Sequence, residues 1–413
     1  MRLIAIKPEQ FEKFTQNHRY KNYYQTTAYG NTMIKFGYNI QYLGIVNESN
    51  TLIGATLLMY KEVFMNYKIA YAPRGILFNY ERSDQVKELV EKIKKLLRKQ
   101  GFMLLRIDPY IPSTIRDKNG NIMNFNNQLN LIMANLQSAG FTHRGKTLFF
   151  ENEKPRWEAL TLLNKDIRKI FNSFDKRTRH KIRKAANSGV EIYIDKEKNI
   201  KQLYQFTKKK ANKPIRFYNE LIKNFSNNID IYYAKLNTEI YVVNSRRAYE
   251  KETAINDRIA SLIQDSNKSP KEKQKLLNKK MNSDKLLNTY KNSLIKATEL
   301  LKNYPDGIII AGALVINYDN AAYIFIDGFD KKFSDLNPSY LLKWRMIDNY
   351  NKKGYKYLNL NAVVGEFERK NKYSGLNEMK LGFNAIVTEY IGEFDIILNN
   401  FAYRLYKSFN KDK

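Results

Sequence analysis

Short alternating or continuous apolar runs at 3–6, 40–46, 52–60, 67–72 and 101–108 predict strands, and helical spacing at 8–16 and 85–99 predicts helices. Between the first helix and the hairpins stand Tyr23, Tyr24 and Tyr29, with Gln25 among them. Hairpins, then a helix, then a buried strand make an α/β sandwich with a mixed sheet. The second half repeats the plan. Tyr42-Leu-Gly-Ile-Val46 before Leu52-Ile-Gly-Ala-Thr-Leu-Leu-Met-Tyr60 parallels Tyr232-Tyr-Ala-Lys-Leu236 before Ile310-Ala-Gly-Ala-Leu-Val-Ile-Asn-Tyr318. Arg98-Lys99 and Gly101 ahead of one strand parallel Lys352-Lys-Gly354 ahead of another, each a helix, a glycine C-cap and an emerging strand. Such an internal duplication places two copies of one fold side by side.

The second copy is interrupted between Leu236 and Gly307. Ala248, Ile255, Ile259 and Leu262 fall at heptad-compatible spacings, and Leu287, Tyr290, Leu294, Ala297 and Leu301 step by three and four. One apolar stripe per helix on otherwise charged surfaces predicts an antiparallel two-helix coiled-coil arm. Ser269-Pro-Lys-Glu272 supplies its turn: an N-cap serine, proline at the first helical position and a capping-box glutamate. A helix of about 24 residues projects roughly 35 Å. The expected division is a first domain at 1–152, a second at 153–240 and 306–400, the arm at 241–305 and a C-terminal helix or tail at 401–413.

A chain of 413 residues is too long for one core, in keeping with that division. With no cysteine, disulfides, thiolate nucleophiles and Cys-based metal sites are excluded. His18, His143 and His180 lack metal-ligand spacing, so no metal is expected. The opening residues lack the apolar run of a signal peptide, and the longest apolar stretch, 308–316, is far short of the ~20 residues of a membrane helix. A cytoplasmic protein is expected. The net charge of +30 attracts a polyanion, either nucleic acid or an anionic membrane surface. It concentrates between Lys165 and Lys184, where nine Lys and Arg face only Asp166 and Asp175.

The duplicated plan resembles two tandem acyltransferase domains of the GNAT type. Neither half carries the family's pyrophosphate-binding glycine turn before its long helix: Arg82-Ser-Asp-Gln and Asn337-Pro-Ser-Tyr stand there instead. Without an amide nest a CoA pyrophosphate lacks its donors, so a different acyl donor is expected. Twin domains, a helical arm, a basic surface and no CoA turn together resemble the Fem family, whose members build peptidoglycan interpeptide bridges from aminoacyl-tRNA. The resemblance runs along nearly the whole chain. Its most specific piece is Gly375-Leu-Asn-Glu-Met-Lys-Leu-Gly-Phe383, followed by Glu389-Tyr-Ile-Gly-Glu393. Asn377 and Met379 depart from that motif's usual Tyr and Phe. Gln25 with Lys35, the Ile107-Asp108-Pro109 strand end, and Arg179 to Ala185 match other family positions. Arg216 and Tyr218 match an Arg–Tyr pair imperfectly.

The resemblance implies an aminoacyltransferase that needs no cofactor, because an aminoacyl ester is already activated. The acceptor amine, of a lipid II or UDP-MurNAc-pentapeptide precursor, attacks the ester carbonyl and expels the 3′ hydroxyl of the tRNA. Lys380 takes the place of the lysine that stabilises the oxyanion, and Asp108 orients or deprotonates the amine. Gly382 is expected to let the backbone pass close to substrate and Gly375 to allow a tight turn. Lys35, Arg216 and Tyr218 hold the acceptor, and Tyr323 lines its channel. Lys176, Arg177, Arg179, Arg183 and Lys184 meet tRNA phosphates. A lipid-linked acceptor further implies a peripheral approach to the membrane. Two rival readings are a non-catalytic RNA-binding protein and an aminoacyl-tRNA-dependent lipid aminoacyltransferase. The first lacks RNP-type aromatic motifs, and relatives of the second usually carry many membrane helices.

Overall fold

The computed structural model describes residues 1–151, 153–209, 213–265, 268–368 and 370–409. The first half runs β1 (Arg2–Ala5), α1 (Pro8–Asn17), α2 (Thr27–Ile34), β2 (Asn39–Val46), β3 (Leu52–Phe64), β4 (Tyr67–Ala72), α3 (Ser83–Lys99) and β5 (Phe102–Ile107). There follow β6 (Pro112–Arg116), β7 (Ile122–Phe125), α4 (Leu129–Ser138) and β8 (Thr142–His143). The second half opens with β9 (Trp157–Leu162), α5 (Ile167–Ser173) and α6 (Lys176–Asn187). It then repeats the first: β10 (Val190–Ile194), α7 (Lys201–Thr207), α8 (Ile215–Phe225), β11 (Ile229–Leu236), β12 (Ile308–Tyr318), β13 (Ala321–Phe329), α11 (Pro338–Lys352) and β14 (Tyr357–Ala362). Between β11 and β12 stand α9 (Thr238–Gln264) and α10 (Pro270–Asn303). The chain ends with α12 (Ser374–Leu381), β15 (Ile386–Tyr390), β16 (Phe394–Ile397) and α13 (Asn400–Phe409). Residues 410–413 of the expected C-terminal tail, and Asn152 at the expected domain boundary, lie outside the described residues.

The duplication is visible in the sheets. One has the order β1-β2-β3-β4-β5-β16-β8 and the other β10-β11-β12-β13-β14-β9-β15-β6-β7. In each, an antiparallel meander passes through a long helix, α3 or α11, into a parallel neighbour: β4 beside β5, and β13 beside β14. Strands cross between halves. β16, from the end of the chain, pairs with β5, while β6 from the first half pairs with β15.

Among the described residues three large apolar cores follow, with a small fourth under α13. One lies between α3 and the first sheet and another between α11 and the second. The third joins the halves: Phe11, Tyr23 and Met33 pack with Phe217, Leu221, Leu314 and Tyr323.

The arm is longer than the spacing predicted. Its second helix has 34 residues, about 51 Å at 1.5 Å per residue, and the first starts at Thr238, three residues before the expected boundary at 241. The capping box is formed, with Ser269 accepting from the Glu272 N–H. On α10 the predicted stripe is the covered side, with Leu287, Tyr290, Leu294 and Leu301 half-buried and Ala297 fully buried. On α9 it is broken. Ile255 is exposed and the next residue, Asn256, takes the seam. The reason is pairing across the arm: the Asn256 amide donates to Ser283 Oγ at 3.1 Å and to Asp284 Oδ1 at 2.8 Å, and Ser283 donates to Glu252. The base of the arm is part of the second core, through Tyr241, Val242 and Ala297.

Candidate active site

Asp108 directly follows β5, where the strand leaves the sheet, and is 1% exposed. Its Oδ1 accepts from the Arg74 backbone N–H at 2.6 Å and the Tyr71 hydroxyl at 3.0 Å. Its Oδ2 stands 3.6 Å from the Arg74 guanidinium and has no hydrogen-bond partner among the described residues. Burial raises its carboxyl to about 7, against the opposing pull of Arg74, Lys154 and Tyr71.

Arg74 is the hub of this buried set. Its backbone is left-handed, at φ 52°, and Gln25 fixes the turn beside it. The Gln25 amide donates to Pro73 O at 2.7 Å and accepts from Leu57 N at 2.8 Å. The guanidinium donates to Glu158 Oε1 and to Pro155 O, both at 2.8 Å, and lies about 5 Å from the ring centres of Tyr110 and Tyr390. Glu158 Oε2 in turn accepts from the Tyr110 hydroxyl at 3.1 Å and the Asn359 amide at 2.7 Å. Tyr323 is buried next to this network, its hydroxyl 2.8 Å from that of Tyr357.

β14 links that network to Lys380. Asn359 sits on β14, and three residues on, roughly 10 Å of strand, the Ala362 carbonyl accepts from Lys380 Nζ at 2.6 Å. Lys380 is 6% exposed, in the last turn of α12. Its neighbours Gly375, Leu376 and Met379 line a cavity of ≈1070 Å³ that extends to Asp327 and the start of α11. Asn377 replaces the motif's tyrosine with a different service, exchanging hydrogen bonds with both backbone groups of Val364. Two glycines differ from expectation. Gly382 packs on α6, where a Cβ would meet Thr178 Oγ1 at 2.3 Å, and Gly375 lies in a helix with open space beside it.

Lys35 and Arg216 approach one another. Lys35 caps α2, Arg216 lies in the first turn of α8, and the Arg216 guanidinium is 5.8 Å from the Phe36 ring. Both are exposed. Tyr218 points the other way, into the shared core, and burial pushes its hydroxyl up to about 12. Other cations gather on aromatic faces nearby: Lys61 4.0 Å from the Tyr38 ring, Lys154 4.1 Å from Tyr24 and Lys213 5.6 Å from Phe217. Partial burial, then the charges of Lys154 and Lys61, push the Lys213 ammonium below its ordinary range.

On α6, Lys176, Arg183 and Lys184 are exposed. Arg177 is exposed and pairs with Glu378. Arg179 is half-buried, its guanidinium given to the carbonyls of Asn172 and Phe174. Arg183 and Lys184 line a groove of ≈810 Å³ whose other wall is the base of the arm, including Asn244, Thr289 and Tyr290.

Sequence reasoning missed Arg74, Glu158 and Lys154. Glu158 had a visible signal, a lone carboxylate in the apolar run Trp157-Glu-Ala-Leu-Thr-Leu162. Arg74 and Lys154 had none, because their partners lie on distant strands.

The chain matches the family model described as "FemAB family" over residues 6–411. It is 25% identical over 426 residues to an aminoacyltransferase FemA of Staphylococcus epidermidis, covering all of both chains. Identity to an aminoacyltransferase FemA of Staphylococcus aureus is also 25%, over all of this chain and 99% of the relative. A solved structure titled as that of FemX superposes with a TM-score of 0.72 at 19% identity, over 98% of this chain and 99% of that one.

Proposed function

The chain belongs to the FemAB family, and from that premise we propose that this aminoacyltransferase takes its amino acid from aminoacyl-tRNA and joins it to the amine of a peptidoglycan precursor. The acceptor is lipid II or UDP-MurNAc-pentapeptide, and the product is an amide in the interpeptide bridge. The observation that carries the reading is Asp108: a buried carboxylate with one oxygen spent on Arg74 and Tyr71 and the other lacking a donor among the described residues. A buried acceptor in that state favours a hydrogen-bond donor, and the acceptor ammonium or amine supplies one.

In the reaction the amine nitrogen bonds to the ester carbonyl carbon, and the carbonyl π-electrons move onto oxygen. Asp108, with its carboxyl near 7, takes a proton from the nitrogen as the C–N bond forms. The Lys380 ammonium stabilises the oxyanion. Collapse restores the carbonyl and releases the tRNA 3′ oxygen, which leaves as the hydroxyl with the proton that Asp108 took, returning Asp108 to its carboxylate. The cavity beside Met379 and the start of α11 receives the 3′ end of the donor, next to Lys380. Lys35 and Arg216, with Lys61, Lys154 and Lys213 about them, receive the acceptor's diphosphate. The groove between α6 and the arm receives the tRNA body. We place the protein in the cytoplasm, approaching the membrane peripherally where the acceptor is lipid-linked.

The test is the mass added to lipid II, or to UDP-MurNAc-pentapeptide, when the protein is supplied with total charged tRNA. One amino-acid residue gained, dependent on the tRNA being charged, is expected. No mass gain on either acceptor overturns the reading in favour of RNA binding alone, and gain on a phospholipid instead favours a lipid aminoacyltransferase.

A further inference from the structure

Among the described residues, the three most exposed large hydrophobic side chains are Met65 and Phe401 at 72% and Phe409 at 70%. Met65 is far in sequence from Phe401 and Phe409, yet the hairpin and the helix that carry them adjoin at one corner. Met65 is at the tip of the β3–β4 hairpin. Phe401 and Phe409 lie at opposite ends of α13, which seats Ala402 on Met103 and Leu104 of β5, with Tyr67, Ile69, Tyr403 and Tyr406 around them. Asn399, just before α13, donates to the Tyr67 hydroxyl at 3.4 Å. The apolar side of α13 is therefore wider than its seat: Ala402 is covered, while Phe401 and Phe409 extend past it. Its polar side carries Arg404 and Lys407. The basic end of α3 adjoins it, since Arg98 Nε donates to Leu398 O at 3.1 Å and Lys99 follows. Lys68 lies at the hairpin, paired loosely with Glu62 at 3.9 Å.

We propose that this corner is a membrane-docking surface, which sets Met65, Phe401 and Phe409 into the headgroup–acyl boundary of a bilayer containing anionic lipid. Protruding apolar side chains ringed by Lys and Arg gain from both parts of such an interface. The other occupants fit less well. A double-helical nucleic acid presents phosphate and ribose rather than an apolar surface to the tips, and a second copy brings Arg98, Lys99, Arg404 and Lys407 against their own like charges. The placement also suits the site. Lys61, in the cation cluster with Lys154 and Lys213, is four residues from Met65 along the same hairpin, about 13 Å of extended chain. A lipid-linked diphosphate entering that cluster stays within reach of its bilayer. This last point rests on the proposed acceptor; the docking surface itself does not.

The chain has no cysteine, so a single introduced one carries a unique label. Met65→Cys, Phe401→Cys and, as control, Met123→Cys are each labelled with an environment-sensitive fluorophore. Met123 is 64% exposed on β7, within a stretch, 119–142, that has no charged residue. The proteins are added to vesicles of phosphatidylglycerol and phosphatidylcholine with brominated acyl chains. Labels at 65 and 401 are expected to shift to the blue and be quenched, and the label at 123 to do neither. The charge-preserving double variant Met65→Ser/Phe401→Ser is expected to weaken vesicle binding by about tenfold or more, with turnover of soluble acceptor unchanged. Binding without quenching at 65 and 401, equal quenching at 123, or no loss in the double variant overturns the proposal. Insertion at 65 and 401 in a protein that turns over no lipid-linked acceptor leaves the surface standing and refutes the acceptor instead.

Discussion

Asp108 and Arg74 approach to 3.6 Å without a hydrogen bond between their side chains, and that gap decides the chemistry available. Had Arg74 closed on Asp108, the carboxylate would be a weak base far below neutrality. Instead Arg74 gives its direct bond to Glu158 at 2.8 Å, and burial leaves Asp108 near 7. Because a base acts only when deprotonated, kcat/KM for the acceptor should rise with pH through about 7. Asp108→Asn should lower turnover by about 100- to 10,000-fold and erase that inflection, leaving only the rise due to the amine itself. A retained inflection in the variant would assign it to another group. At Lys380 two effects are separable. Lys380→Met should cost roughly 100- to 1000-fold in kcat through the lost oxyanion charge, with acceptor affinity little changed. It also leaves the Ala362 carbonyl without its 2.6 Å donor, so a stability loss of about 1 kcal/mol accompanies it. Lys35→Met, exposed at the end of α2, should instead raise the acceptor KM first. Near-normal turnover in Lys380→Met would remove that residue from the mechanism.

At the scale of elements, what was legible followed from local periodicity. The strands of both meanders, the long helices α3 and α11, and the α10 seam were readable because each repeats within a few residues. Asn256 was not, since a polar residue becomes the seam only when Ser283 and Glu252 face it across the arm. A buried polar layer of this kind fixes register at some cost in stability. The arm is also less independent than its sequence implies. Leu236 and Ile308 are directly paired across β11 and β12, so the flanking hairpin closes without the arm. Tyr241, Val242 and Ala297, however, belong to the second core. Removal of 251–288, with Glu250 joined to Thr289 by a short glycine loop, should therefore leave the melting temperature nearly unchanged and weaken tRNA-dependent turnover. Excision of everything from 237 to 306 should destabilise the protein strongly. Equal melting of the two deletions would show that the base contributes no core.

At the scale of the whole molecule, two properties exceed any element. The first is charge: +30 over 413 residues. If about six tRNA phosphates are neutralised, affinity should fall roughly a thousandfold between about 50 and 200 mM salt. A salt titration with near-zero slope would exclude phosphate contacts as the source of binding. The second is the exchange of strands, which no local pattern announces because partners lie hundreds of residues apart. β5 pairs with β16, as Phe394 with Ile107, and β6 pairs with β15, as Thr388 with Ile115. Asp108 is thus placed by a strand whose outer neighbour comes from the end of the chain. The division at 152 is in these terms a proposal about ancestry more than about folding. A fragment of residues 1–152 would keep α3 and its meander but lose β16 from between β5 and β8. It would also expose Phe11, Tyr23 and Met33, whose packing partners in the shared core are Phe217, Leu221 and Tyr323. β6 and β7 would be left as an isolated hairpin, marginal in water. Expressed alone, the fragment should show helical far-UV dichroism without a cooperative melt. Supplying 153–413 in the same cell should restore the cooperative melt. A sharp, independent unfolding transition in the fragment would mean that the strand exchange adds nothing to the first half.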